Sequence, residues 1–272
     1  MKRKQAGYLL RIVLSALLAF LSVGCQKNSA AYAKYADWYV LKDYKLAMET
    51  TYEEAFDRLQ VDTYRWYADI QDREGVYVVH TWFFSKALHE EWKEYGIYDN
   101  VANRDTWYFA CSPNYLIDQG LQIPKELIEK ANGGVRVYLL PASFSEEEFE
   151  SVSAFLREDA GKNIQDGEEL IPTVFNEKRE IAFASYENGI PLFTWPKEKG
   201  EEAFTKEACI LLCTPQNMKY FESESLCACM NLSSTYLKFK SEAVLNDCLN
   251  RMPENLVKQQ LHFVSVASRE KR

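Results

Sequence analysis

A short uncharged stretch near the start of the chain constrains everything after it. Met1-Lys2-Arg3-Lys4 opens with three basic residues, Arg11 adds another, and Ile12 to Gly24 carries no charge. A basic start, a short apolar core and small residues before a cut are the parts of an export signal. The uncharged run is 13 residues long, whereas a membrane-spanning helix needs about 20. Counting from Ala6 reaches that length but places Arg11 inside, at roughly 2.5–3.5 kcal/mol on insertion scales. Snorkelling of the Arg11 side chain eases that cost. Residues 1–24 are therefore expected to be a signal peptide or membrane anchor, 25–35 a linker, and 36–272 a domain beyond the membrane.

The residue after this run sharpens the choice. Val23-Gly24 directly before Cys25 resembles a bacterial lipobox, in which the cysteine is diacylated and becomes the new N-terminus. Ser22 departs from the leucine more often found there. Three outcomes stay open: a lipoprotein attached through Cys25, an uncleaved anchor, and ordinary signal cleavage. The first two hold the chain to the exported face of the cell membrane by its N-terminus.

Charge then limits the partners. The whole chain carries −8, but the first 24 residues hold four basic and no acidic side chains. The remainder sets 28 basic against 40 acidic residues, a balance of −12. That argues against nucleic acid and against a polybasic grip on anionic lipid. The six Trp, 17 Tyr and 15 Phe have two readings: a groove for peptide or sugar, or a β-rich core. Their alternation within strand-like segments favours the core.

Local patterns predict an α+β fold, with mixed sheets and helices on one face. Strands are expected at 36–41, 76–84, 106–111, 135–140, 180–186, 208–213, 235–240 and 262–267. Thr51 with Glu54, and Ser145 with Glu148, are capping boxes that open helices. Tyr52, Ala55, Phe56 and Leu59 form the stripe of the first; Phe149, Val152, Phe155 and Leu156 form that of the second. Leu170 to Phe175 and Glu180 to Tyr186 flank Asn176-Glu177-Lys178-Arg179 as an expected hairpin. Ser241 starts a helix that Pro253 stops, giving a ferredoxin-like strand–helix–strand unit near the C-terminus. Gly161 to Gly167 is a polar connector and the best internal boundary.

Few residues invite chemistry. Cys209 and Cys213 lie four apart on one strand face, too far to bridge each other. A bridge to Cys227 or Cys229, buried free thiols, and a zinc site from the four all remain open. His89-Glu90-Glu91 looks like half of a zinc-protease motif without the second histidine. His80 and His262 sit in apolar strands. No Gly-x-Ser-x-Gly and no Gly-rich phosphate loop occurs. The expectation is a non-enzymatic protein with no cofactor.

At Asp105 to Ala142 the pattern becomes recognisable. A strand leads into Ser112-Pro113-Asn114-Tyr115-Leu116, followed by Val137-Tyr138-Leu139-Leu140-Pro141 and an acidic helix from Ser145. This resembles the extracytoplasmic domain of bacteriocin-associated integral membrane proteins, relatives of the FtsX/MacB-type permeases of ABC transporters. Ile210-Leu211-Leu212-Cys213-Thr214-Pro215 and Tyr236-Leu237-Lys238-Phe239-Lys240 fit its later strands. The resemblance implies an extracytoplasmic domain that works by contact with a membrane permease or ATPase complex. It also implies three further membrane helices, which the sequence up to Arg272 does not carry. An accessory subunit and a shortened permease are both consistent with that departure. The alternative is a surface lipoprotein that binds a peptide or sugar ligand.

Overall fold

The computed structural model describes residues 31–47, 51–162, 171, 173–187, 189–196 and 201–270. The signal or anchor segment, Cys25, the first part of the linker, and most of the 161–167 connector lie outside the described residues.

The fold is α+β, built on one mixed sheet of eight strands. In chain order these are β1 (Tyr39–Asp43), β2 (Val76–Phe84), β3 (Thr106–Cys111), β4 (Arg136–Pro141), β5 (Ile181–Tyr186), β8 (Ala208–Leu212), β9 (Leu237–Phe239) and β10 (His262–Ser265). Two short strands, β6 (Leu192–Phe193) and β7 (Phe204–Thr205), pair separately. The order across the large sheet is β10-β1-β9-β2-β3-β8-β4-β5.

The sheet has two halves. In the first, β1 pairs antiparallel with both β9 and β10, and β9 pairs antiparallel with β2. Helix α1 (Tyr52–Ile70) links β1 to β2, and α8 (Glu242–Leu249) links β9 towards β10. The closing strands thus flank β1 as parallel neighbours-but-one, which is the ferredoxin-like split strand–helix–strand unit. Residues between β2 and β9 supply the second half, where β3 runs parallel to β8, and β4 runs parallel to β5 and antiparallel to β8. The β2–β3 ladder, from Val79↔Cys111 to Phe84↔Thr106, joins the halves.

Alternation along the strands sends side chains to opposite faces. Val76, Val78, Tyr138, Leu140, Cys209 and Leu211 join one core, with Leu59, Trp66 and Ile70 of α1 and Val152 and Phe155 of α5 (Glu146–Gly161). Tyr77, Val79, Val137, Leu139, Ile210 and Leu212 join the other. Tyr115 and Leu116 of α3 (Pro113–Asp118) and Ala131 of α4 (Lys125–Asn132) cover that second core. Helices therefore lie on both faces rather than one. The reason is that the central strand β8 is buried along its whole length and needs apolar cover on each side.

The helix starts follow the caps. Thr51 Oγ1 accepts from the Glu54 amide at 3.3 Å, and the reciprocal box of Ser145 and Glu148 is complete. The stripe of α1 differs at its first turn, because Tyr52 is exposed and stacks on Phe56 while Ala55 and Leu59 are buried. The expected hairpin at 176–179 is absent. Thr173 instead caps a short helix, α6 (Val174–Lys178), closed by Arg179 in the left-handed region at φ 53°. The following strand then runs parallel to β4. Gly134 makes room for α6: its φ is +93°, and a Cβ there would lie 2.4 Å from that of Val174.

Candidate functional site

A cleft of about 600 Å³ opens on the α1/α5 face of the sheet, over the second half of β2. It exists because β2 is longer than the core it covers. Val76 and Val78 are sealed beneath α1, but the same face continues through His80, Trp82 and Phe84 into the cleft. Tyr108 stands opposite Trp82 in the ladder and extends the aromatic floor. Ser85 accepts from the Leu88 amide at 3.1 Å and starts α2 (Lys86–Glu94) directly after β2, which brings Trp92 back over the strand. Tyr98 continues that wall. The opposite wall comes from the chain around α7 (Tyr220–Glu224) and its following 3-10 turn (Ser225–Cys227), with Tyr236 just before β9. His80 stacks on Tyr236, with ring centroids 4.5 Å apart, and its Nδ1 lies 3.1 Å from the Ser233 carbonyl.

The polar groups of the cleft differ in how firmly they are held. Glu222 is buried beside the fully buried Arg136. Two guanidinium nitrogens meet its two carboxylate oxygens at 2.7 Å each. The Lys219 amide donates to the same carboxylate at 2.8 Å, and Arg136 also donates to the Tyr138 hydroxyl and the Asn217 carbonyl. Burial pushes the Glu222 carboxyl up, but the charge and bonds of Arg136 outweigh it and hold the group below the usual carboxylate range. Asp159 of α5 accepts from the Tyr98 hydroxyl at 2.8 Å and lies 3.4 Å from the Lys219 ammonium. Glu224 is different. It makes no ion pair among the described residues, and burial together with Asp57 raises its carboxyl above the ordinary value.

Behind the aromatic wall sits His89, fully buried. Phe84, Trp92 and Phe155 surround its ring at centroid distances of 5.8, 5.5 and 4.7 Å. Neither ring nitrogen has a hydrogen-bond partner among the described residues. Burial lowers its basicity to about 4. The half-motif His89-Glu90-Glu91 therefore packs its histidine into the wall of the cleft. His262, in contrast, is exposed, with Nδ1 3.3 Å from Asp43.

The cysteines do not assemble with the cleft. Cys209 and Cys213 share the α1/α5 core, as their spacing predicts, and Cys227 is buried at the 3-10 turn with its thiol against the Glu224 carbonyl at 3.1 Å. Cys229 is half-buried beside that core. All six described cysteines are free. Burial pushes the thiols of Cys209 and Cys227 to about 12 and raises Cys213 and Cys229. Among the described residues, no group of three or more His, Cys, Asp or Glu side chains is placed to hold a metal ion. No described helix is long and apolar enough to cross a membrane.

The alternation of the aromatics favours a core over a groove and does not locate this cleft. The signal that could have found it is the stripe His80-x-Trp82-x-Phe84, which outruns the apolar part of β2 and mixes a polar ring with aromatic ones. Comparison with known protein families, with curated proteins and with solved structures finds no match to this chain.

Proposed function

We propose that this chain is a domain tethered to the exported face of the cell membrane through its N-terminus, and that it holds a small organic ligand in the aromatic cleft. The observation that carries this reading is the cleft itself. Its volume lies in the range of ligand sites, roughly 300–1,000 Å³, and it joins a mostly apolar lining to a few convergent polar groups. Binding is favoured over catalysis because two of its three carboxylates are committed to cations of the protein: Glu222 to Arg136, and Asp159 to Lys219. Peptides and sugars are the classes expected from the aromatic content. The test is a titration of intrinsic tryptophan fluorescence in the full chain with a panel of peptides, sugars and organic ions. Saturable quenching that Trp82→Ala abolishes is expected; an unchanged spectrum across the panel would reject the reading.

A second reading is a contact role in an ABC-type export or bacteriocin-associated system, with a membrane permease or ATPase as partner. Phe83 favours it. This residue is 43% exposed on the sheet face opposite the cleft and packs only partly against Trp107, at 5.2 Å between centroids. A photo-cross-linker at position 83 should capture a permease or ATPase subunit in membranes, and capture of neither counts against the contact.

A further inference from the structure

We propose that the cleft selects a small organic cation, an amine or quaternary ammonium ion, held between its aromatic faces and the Glu224 carboxylate. This rests on the cleft being a ligand site and names the class of ligand. Three observations converge on it.

The first is charge. The cleft presents Asp159, Glu222 and Glu224 against one lining cation, Lys219. Arg136 answers Glu222 from beneath, and Lys219 answers Asp159. One carboxylate is left over, and Asp57 adds a second negative charge beside it. A low-dielectric cleft focuses such a field, and the acidic chain as a whole carries −8.

The second is the π surface. Trp82 is 39% exposed, so part of its ring is open to solvent. Trp92 and Phe84 line the same space. Ring faces carry negative quadrupole potential and attract cations within about 6 Å of the centroid. The rim already uses this attraction, because the Lys162 ammonium lies 4.1 Å from the centroid of Tyr98.

The third is the commitment of the donors beside the carboxylates. The Tyr98 hydroxyl donates to Asp159, the Tyr220 hydroxyl donates to Gln60 Oε1 at 2.5 Å, and the Lys219 ammonium donates to the Asp159 carbonyl at 2.9 Å. Among these groups the Glu224 carboxylate is left as an acceptor without an ion pair among the described residues. A sugar needs donors and acceptors in alternation, whereas an ammonium needs acceptors and π faces.

The experiment titrates the full chain at low salt with choline, its neutral carbon isostere 3,3-dimethylbutan-1-ol, and maltose, read by tryptophan fluorescence and calorimetry. Choline should bind saturably and about tenfold or more tightly than the isostere. Glu224→Gln should weaken choline by about tenfold, with the isostere unaffected and the unfolding temperature unmoved. Equal binding of choline and the isostere overturns the cation assignment. Binding of maltose or a neutral peptide without choline also overturns it, and leaves the ligand site standing. Silence from every probe, with Trp82→Ala still folded, removes both.

Discussion

His89 illustrates what a single buried side chain imposes. A buried imidazole with no hydrogen-bond partner among the described residues is tolerated only while it stays neutral. Its basicity falls from 6.5 to about 4 on folding, through burial. Between those values the unfolded chain binds more protons than the folded one, so stability rises with pH across this window. It is fully present above about 6.5 and lost as pH falls towards 4, by roughly 2–3 kcal/mol. Replacing His89 with Phe should remove that slope, so urea midpoints at pH 7 and pH 4.5 should draw closer than in the parent chain. Midpoints that separate as before would assign the acid sensitivity to other groups. The sequence displays this histidine as half of a metal motif. It does not display the burial, because the enclosing Phe84, Trp92 and Phe155 come from one strand and two helices. Glu224 is hidden for the same reason: an exposed-looking acid in an acidic segment gains meaning only from the aromatic cleft it helps to line.

At the scale of elements, the local signals are the legible ones. Capping serines and threonines at 51, 145 and 241 open three helices, and the nine residues of β2 fall where the pattern over 76–84 predicts them. The misread element is 173–179, where a polar run between two apolar ones imitates a hairpin turn. Thr173 and a left-handed Arg179 close a helical turn instead, after α5 has supplied the crossover that the parallel pairing of β5 with β4 requires. Strand β2 also carries a prediction of its own. Its neighbouring residues 82 and 83 serve opposite faces, so their effects should separate. Trp82→Ala should abolish ligand quenching and leave cross-linking from position 83 intact. Phe83→Ala should leave ligand affinity unchanged. A ligand defect in Phe83→Ala would mean that the two faces are coupled through the strand.

For the whole molecule, fold class was legible and strand order was not. Periodicity tells which residues form strands, but nothing local tells that β8 inserts between β3 and β4, or that β9 and β10 return to flank β1. The proposed tether is the reverse case, an expectation from the sequence that lies outside the described residues. The mass of the N-terminal peptide from membrane-purified protein reads it directly. A diacylated peptide beginning at Cys25 is the expected result for a lipoprotein. An intact Met1 to Gly24 would establish an uncleaved anchor and favour a shortened permease over an accessory binding protein.

The placement of β1 between β9 and β10 has a consequence in time. A chain leaves the ribosome with its N-terminus first, yet both partners of its first described strand are made after every other strand of the sheet. Neither edge of β1 can be paired until the chain has emerged as far as β9, and such long-range pairings are slow to form. The unit cannot close early. Under the export proposed above, the strand order itself keeps this unit threadable until β9 and β10 have been made.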